Sequence, residues 1–192
     1  MKTNVESRHH IEPNDGRYPR LIVSPVTTRL RAVLVAVGLL LAIPCARAQT
    51  ELSSADKDFI LAAIQGGMTE VTLGDLAARQ GTRDDVRVFG QAMVTDHAAI
   101  NADLKALAAH KGVTLPDRLD ENHQATVEKM AALLGSEFDE AYISIMIKDH
   151  KMDVKEFKAQ SAETNDEDIK RFVDKWIPVV AEHLRRIAAI KS

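Results

Sequence analysis

From Ser53 onward, apolar residues recur every three to four positions, the period that lines one face of an α-helix. The first such segment opens at Ser53-Ser54, carries Phe59, Ala63, Leu73 and Ala77 on one face, and stops at Gln80-Gly81. A second begins near Thr82 with Asp84 and Asp85 in its opening turn. It follows Val86, Phe89, Met93, Ile100, Leu104 and Leu107 and stops at Gly112. Acids at a helix start complement its dipole, and glycine past its end accepts the left-handed cap, so both boundaries have a physical reason.

Val113 to Leu119 contains Pro116 and reads as a connection, followed by a shorter helix from about Asp120 to Leu134 that Gly135 ends. Ser136 with Asp139 three residues on resembles a capping box. It predicts a third long helix with Phe138, Tyr142, Met146, Val154 and Phe157 inward. Asn165 or Asp166 caps the last helix, along Ile169, Phe172, Val173, Trp176, Val180, Leu184 and Ile187. Pro178 inside it removes one backbone donor and predicts a bend, not a break. Four long helices and a short one in the second connection predict an all-α, ferritin-like four-helix bundle with a crossover. A plain up-and-down bundle, capped at one end by the short helix, is the competing topology.

The first fifty residues follow a different pattern. Arg29 and Arg31 precede a twelve-residue apolar run, Ala32 to Ile43, then Pro44 and the small-residue pattern Ala46-Arg47-Ala48. That order is the form of a secretory signal at 29–48, cut after Ala48, which sends the mature chain, 49–192, to the periplasm. The run falls short of the ~20 residues that span hydrocarbon, so no stable transmembrane anchor is expected after cleavage; an uncleaved anchor is the alternative. Pro44 before Cys45 argues against lipoprotein processing. Residues 1–28 are polar and too long for a normal leader start, and are expected to be a non-native or disordered extension, with Val26 as a start of conventional position.

Composition agrees with a helical domain: 45% of residues are hydrophobic and only 4% aromatic. The whole chain carries a net charge of −3, but the expected leader holds seven basic and three acidic residues. The mature part then has 18 basic and 25 acidic residues, a net charge of −7. Such a surface gives no counterion-release drive toward nucleic acid and no attraction to anionic lipid. Cys45, the single cysteine, leaves with the leader, so disulfides, thiol nucleophiles and thiolate metal sites are excluded from the mature domain.

Candidate chemistry lies in the apolar seam. His97 takes a core position in the series Met93, His97, Ile100, Leu104. His150 does so among Tyr142, Met146 and Val154, and His183 among Trp176, Val180 and Ile187. Each follows an acid, giving Asp96-His97, Asp149-His150 and Glu182-His183. The first helix supplies Glu70 in the stripe Phe59, Ala63, Gly66, Glu70, Leu73, Ala77. With a rise of ~1.5 Å per residue, the four fall within about one to two turns of one another in height if the short helix carries the chain back.

Buried polar groups in one layer either hydrogen-bond among themselves or coordinate something. Imidazole and carboxylate suit Zn, Cu, Mn or Fe, and Asp96, Asp149 and Glu182 are candidates to orient neighbouring rings. Adjacent helical residues point about 100° apart, so each acid faces solvent or another helix, away from its own histidine. A hydrogen-bonded layer that fixes helix register is the plainer alternative. Val94, Ile147 and Val180 stand three before the histidines, so the Glu-x-x-His di-iron signature is absent, and no Cys-x-x-Cys-His haem attachment exists. His110 and His123 flank the connection and read as solvated, as does the charged run Lys148 to Lys158. Gly66-Gly67 weakens a helix by about 1 kcal/mol per residue and signals a close approach or a kink.

Together, Gly66-Gly67-x-x-Glu70-Val71-x-Leu73-Gly74, Met93-Val94-x-Asp96-His97, Phe138-Asp139-x-x-Tyr142, His150 and Pro178-x-x-x-x-His183-Leu184 resemble a family of exported bacterial proteins, domain of unknown function 4142. The likeness covers about residues 52–190. It implies a ferritin-like bundle behind a signal peptide, often labelled a membrane or outer-membrane protein, with no established activity. Glu70, Asp96, His97, His150 and His183 match its motif positions. Gly90 departs from the usual alanine, which predicts looser packing there. The leading expectation is a non-enzymatic periplasmic bundle with a metal-binding or envelope-stress role. The alternatives are a mononuclear metalloenzyme using the same residues, and a module that packs against an envelope protein. An exposed apolar patch at Val127, Met130 and Leu134 would favour the last.

Overall fold

A computed structural model describes residues 51–191; the expected signal segment, the 1–28 extension and Cys45 lie outside the described residues. Within them the chain forms α1 (Ser54–Gln80), α2 (Asp84–Lys111), α3 (Glu121–Ala131), α4 (Gly135–Glu163) and α5 (Glu167–Lys191), with no strand. No helix among them is long and apolar enough to cross a membrane.

Local chemistry sets most boundaries. The Ser53 hydroxyl accepts from the Asp56 amide at 3.0 Å, and Asp120 accepts from the His123 amide at 2.9 Å. Asp166 Oδ1 accepts from the Asp168 and Ile169 amides at 2.9 and 3.2 Å. Each occupies donors that the first helical turn leaves without partners. Gly112 closes α2 in the left-handed region at φ 69°, which a glycine adopts without the Cβ clash of other residues.

Two of the expected boundaries are different. Gly135 opens α4, and α3 ends earlier, at Ala131. The Ser136–Asp139 capping box does not form either. Asp139 is 2% exposed and turns its carboxylate to the α1–α2 turn, where it accepts from the Arg83 amide at 2.9 Å and from the Thr82 amide and hydroxyl. Arg83, at the α2 N-cap, has no capping side chain of its own, so one helix caps another across the bundle. Replacing Asp139 with alanine would remove the buried acceptor of these part-buried donors; thermal unfolding should register a loss of about 1 kcal/mol. Serine at 136 should be replaceable by alanine with little effect.

Contacts at the two ends fix the helix directions. The α1–α2 turn meets the start of α4 through Asp139, and Arg83 reaches the Ile190 carbonyl at the end of α5. At the far end, Asp56 of α1 bonds Gln160 of α4, and Lys111 of α2 bonds Asp166 and Asp168 at the start of α5. Hence α2 and α4 run the same way, and the second connection returns along the bundle with α3 against α1. Gln65 marks its lower contact, with Arg118 and Asp120, and Gln80 its upper one, with Leu133. Val127 and Met130 of α3 pack onto the core and only Leu134 is exposed, so the patch that would favour a partner-docking module is absent there.

The buried apolar residues fall into two clusters. One contains Ile60, Ile64, Ile100, Leu104, Phe157 and Val180; the other contains Leu73, Phe89, Met93, Tyr142, Met146 and Ile187. On every long helix the break between them falls at the same place: Glu70 on α1, His97 on α2, His150 on α4 and His183 on α5. The inward stripe of α1 is centred on Ile60 and Ile64, one residue on from the expected Phe59 and Ala63, which are half-buried. Gly90 tightens the packing where looser packing was expected. A Cβ there would stand 2.6 Å from the Gly74 carbonyl oxygen, and one on Gly74 would stand 2.9 Å from the Gly90 oxygen. The two glycines let α1 and α2 approach backbone to backbone, directly beside the layer that divides the core.

Candidate metal centre

The dividing layer brings all four seam residues together. Glu70, His97, His150 and His183 are 6, 3, 0 and 1% exposed. The three imidazoles form a nearly equilateral triangle, with ring centroids 5.6 Å apart for His97–His150, 5.3 Å for His97–His183 and 5.4 Å for His150–His183. One nitrogen from each ring lies within 4.8 Å of the others.

The second nitrogen of each ring is held by a different acceptor. His97 Nδ1 lies 2.9 Å from Glu70 Oε2, His150 Nδ1 lies 2.9 Å from the Met146 carbonyl, and His183 Nε2 lies 2.8 Å from Asp96 Oδ2. Carbonyl and carboxylate oxygens only accept, so in a neutral ring the proton resides on the nitrogen that faces them. The remaining nitrogens, His97 Nε2, His150 Nε2 and His183 Nδ1, have no hydrogen-bond partner among the described residues. Each then presents a bare lone pair. Fixing a ring through its far nitrogen is how proteins orient imidazole ligands toward a metal.

Burial favours the neutral form of His150 and His183. It pushes His150 down from the ordinary 6.5 to about 4, against the pull of the Glu70 charge, and the neighbouring His97 and His183 push the same way. His183 is also lowered, by burial first, despite its hydrogen bond to Asp96. Burial opposes the charge on Glu70, but the charge and hydrogen bond of His97, with His150 adding to them, hold its carboxyl below its ordinary value. The opposite happens at Asp153, which burial raises first and the nearby Glu70 charge raises further. One proton between these two carboxyls therefore belongs on Asp153.

Of the three acids that precede the histidines, only Asp96 reaches a ring, and the ring belongs to α5. Asp149 is half-buried, and burial followed by the Glu70 charge raises it to about 6, but it makes no hydrogen bond to the three rings. Glu182 is turned outward to Arg185, with its side chain 47% exposed, so the structure does not bring it to the cluster. Asp153 completes a second group with Glu70 and His150, their ligand atoms again within 4.8 Å of one another. It stands three residues after His150, the signal that would have placed it on the same face. His110 is exposed, and His123 is partly exposed beside Asp120; both lie outside the cluster.

These motif residues sit inside the match to a known family. The sequence profile described as Domain of unknown function (DUF4142) matches residues 42–190. The chain belongs to that family. Among curated proteins, none matches the DUF4142 chain. Among solved structures it is similar to the crystal structure of a DUF305 fragment from Deinococcus radiodurans, at a TM-score of 0.64 and 11% identity, over 73% of this chain and 97% of that one. At that identity the likeness concerns the helical fold alone.

Proposed function

We propose that this DUF4142 domain binds one transition-metal ion through His97 Nε2, His150 Nε2 and His183 Nδ1. The observation that carries the proposal is the set of three buried bare nitrogens whose rings are each anchored from behind. A layer that served only helix register would pair its polar atoms internally, because an unpaired buried polar group costs about 1–3 kcal/mol. Three neutral imidazoles favour Cu or Zn over Mn, which takes carboxylate and water oxygens more readily. Three protein ligands leave a further coordination position open, as catalytic sites do and closed structural sites do not.

Metal binding or carriage is the leading reading, and a mononuclear metalloenzyme using the same three rings is the alternative. The ferritin-like assignment belongs to this proposal, supported by the parallel α2 and α4 and the long second connection. So does a periplasmic location, which rests on the Arg29 to Ala48 pattern. Metal content after loading and dialysis is the direct test. The domain should retain about one equivalent of Cu or Zn, His97→Ala, His150→Ala and His183→Ala should each lose it, and His110→Ala and His123→Ala should keep it. Retention by the three seam variants would overturn the assignment.

A further inference from the structure

A cavity of about 50 Å³ opens beside the histidine triangle, lined among others by Phe59, Gly66, Gly67, Glu70, Asp153 and Glu156. Its lining runs from Glu156, which is exposed, past half-buried Asp153 to Glu70 and His97, which are buried. Two carboxylate oxygens in it, Glu70 Oε1 and Asp153 Oδ2, have no hydrogen-bond partner among the described residues. Glu70 is 94% buried on this account, since only 6% of it is exposed, and its other oxygen is already engaged by His97. The free oxygen lies 3.6 Å from His150 Nδ1, so the same carboxylate touches both the cavity and two rings of the triangle.

We propose that this cavity is a loading site for divalent cations, in which Glu70 Oε1 and Asp153 Oδ2 hold an incoming ion before it passes to the three imidazoles. The inference rests on the metal-binding proposal above and adds a route to it. Oxygen ligands suit an ion that still carries water, and the ~50 Å³ of space accommodates a partly hydrated one. Glu156 at the exposed rim and the ionised Glu70 deeper in draw cations inward, where low-dielectric walls focus their field.

Gly66 lines the cavity beside open space. A Cβ at this position meets nothing within 4 Å, so the space beside it is open to a larger side chain. Gly67 has a different reason to be glycine, because a Cβ there would fall 2.0 Å from Asn101 Oδ1. Gly66→Leu therefore narrows the cavity, and it tests by space what Asp153→Asn tests by removing an oxygen ligand.

Stopped-flow mixing of the metal-free domain with Co²⁺, followed by the visible absorption of the nitrogen-coordinated ion, measures loading and release. A loading site speeds passage in both directions. Asp153→Asn and Gly66→Leu should thus each slow association about ten-fold or more, slow release in proportion, and leave the final affinity within about three-fold. Unchanged association in both variants would overturn the proposal, as would a loss of affinity caused by faster release from Asp153→Asn, which would make Asp153 a ligand of the final site. If wild-type protein takes up no Co²⁺, Cu²⁺ or Zn²⁺ at equilibrium, the metal-binding proposal itself fails. Uptake with unaltered kinetics defeats only the loading site.

Discussion

Saturating Cu or Zn should raise the melting temperature of the domain by about 5–10 °C. An ion that binds the folded state alone stabilises it by RT ln(1 + [L]/Kd), about 2.7 kcal/mol at a hundred-fold excess over Kd, and each kcal/mol moves a domain of this size by roughly 2–4 °C. The triangle is assembled from three helices, so the unfolded chain has no equivalent site. The gain should vanish in His150→Ala. Proton competition has a predictable position as well. His150 stays neutral down to about 4, so its lone pair remains open to metal as the pH falls from 7 to 5, and closes as the pH passes through about 4. In the metal-free protein the same lowered value has a definite sign: the unfolded histidine takes up its proton first, near 6.5. The contribution of His150 to stability is therefore complete above 6.5 and is lost as the pH falls toward 4. Calorimetric scans at several pH values, with and without metal, measure both effects. A melting temperature that no transition metal moves, or a shift that survives in His150→Ala, would refute the assignment.

Helical periodicity made the four central residues legible before any coordinates. His97, His150 and His183 stand three or four positions from apolar residues that are buried, and a polar residue inside such a stripe has only the core to face. The rise per residue then placed Glu70 at the same height. What periodicity cannot supply is any contact between residues distant in sequence. Asp139 resembled a local cap because its neighbour Ser136 has the right spacing, whereas its real donors lie 56 and 57 residues away. Asp153 was concealed in the run Lys148 to Lys158, whose lysines are solvent-facing while Asp153 and Phe157 turn inward between them. Among the preceding acids, spacing treated Asp96, Asp149 and Glu182 alike. Only the rotation of α2 against α5 distinguishes Asp96, which meets a histidine 87 residues on. Gly90 misled for the same reason: a missing methyl reads as looseness along one chain and as close approach between two.

The polar layer itself should prove a burden on stability in the absence of metal. Replacing all four residues together, as Glu70→Leu, His97→Leu, His150→Leu and His183→Leu, should raise the unfolding free energy of the metal-free domain by up to about 4 kcal/mol while abolishing metal uptake. Buried ionic and polar groups exchanged as a set for apolar ones of similar volume are often neutral or stabilising, because the desolvation they demanded is no longer required. The two apolar clusters above and below would then join into one continuous core. Single replacements should act in the opposite direction. Glu70→Leu alone leaves His97 Nδ1 without its acceptor, and the unpaired buried donor should cost about 1–3 kcal/mol. Destabilising singles within a stabilising quadruple would show that the layer is coherent, and that its members answer to one another before they answer to the fold. Chemical denaturation of the wild type, the four single variants and the quadruple variant without metal decides the matter. If the quadruple variant is less stable than wild type, or loses the dispersed amide spectrum of a single packed state, the layer maintains the architecture of the bundle. If it is more stable and fully ordered, the histidines are retained at the expense of folding, for the ion they coordinate.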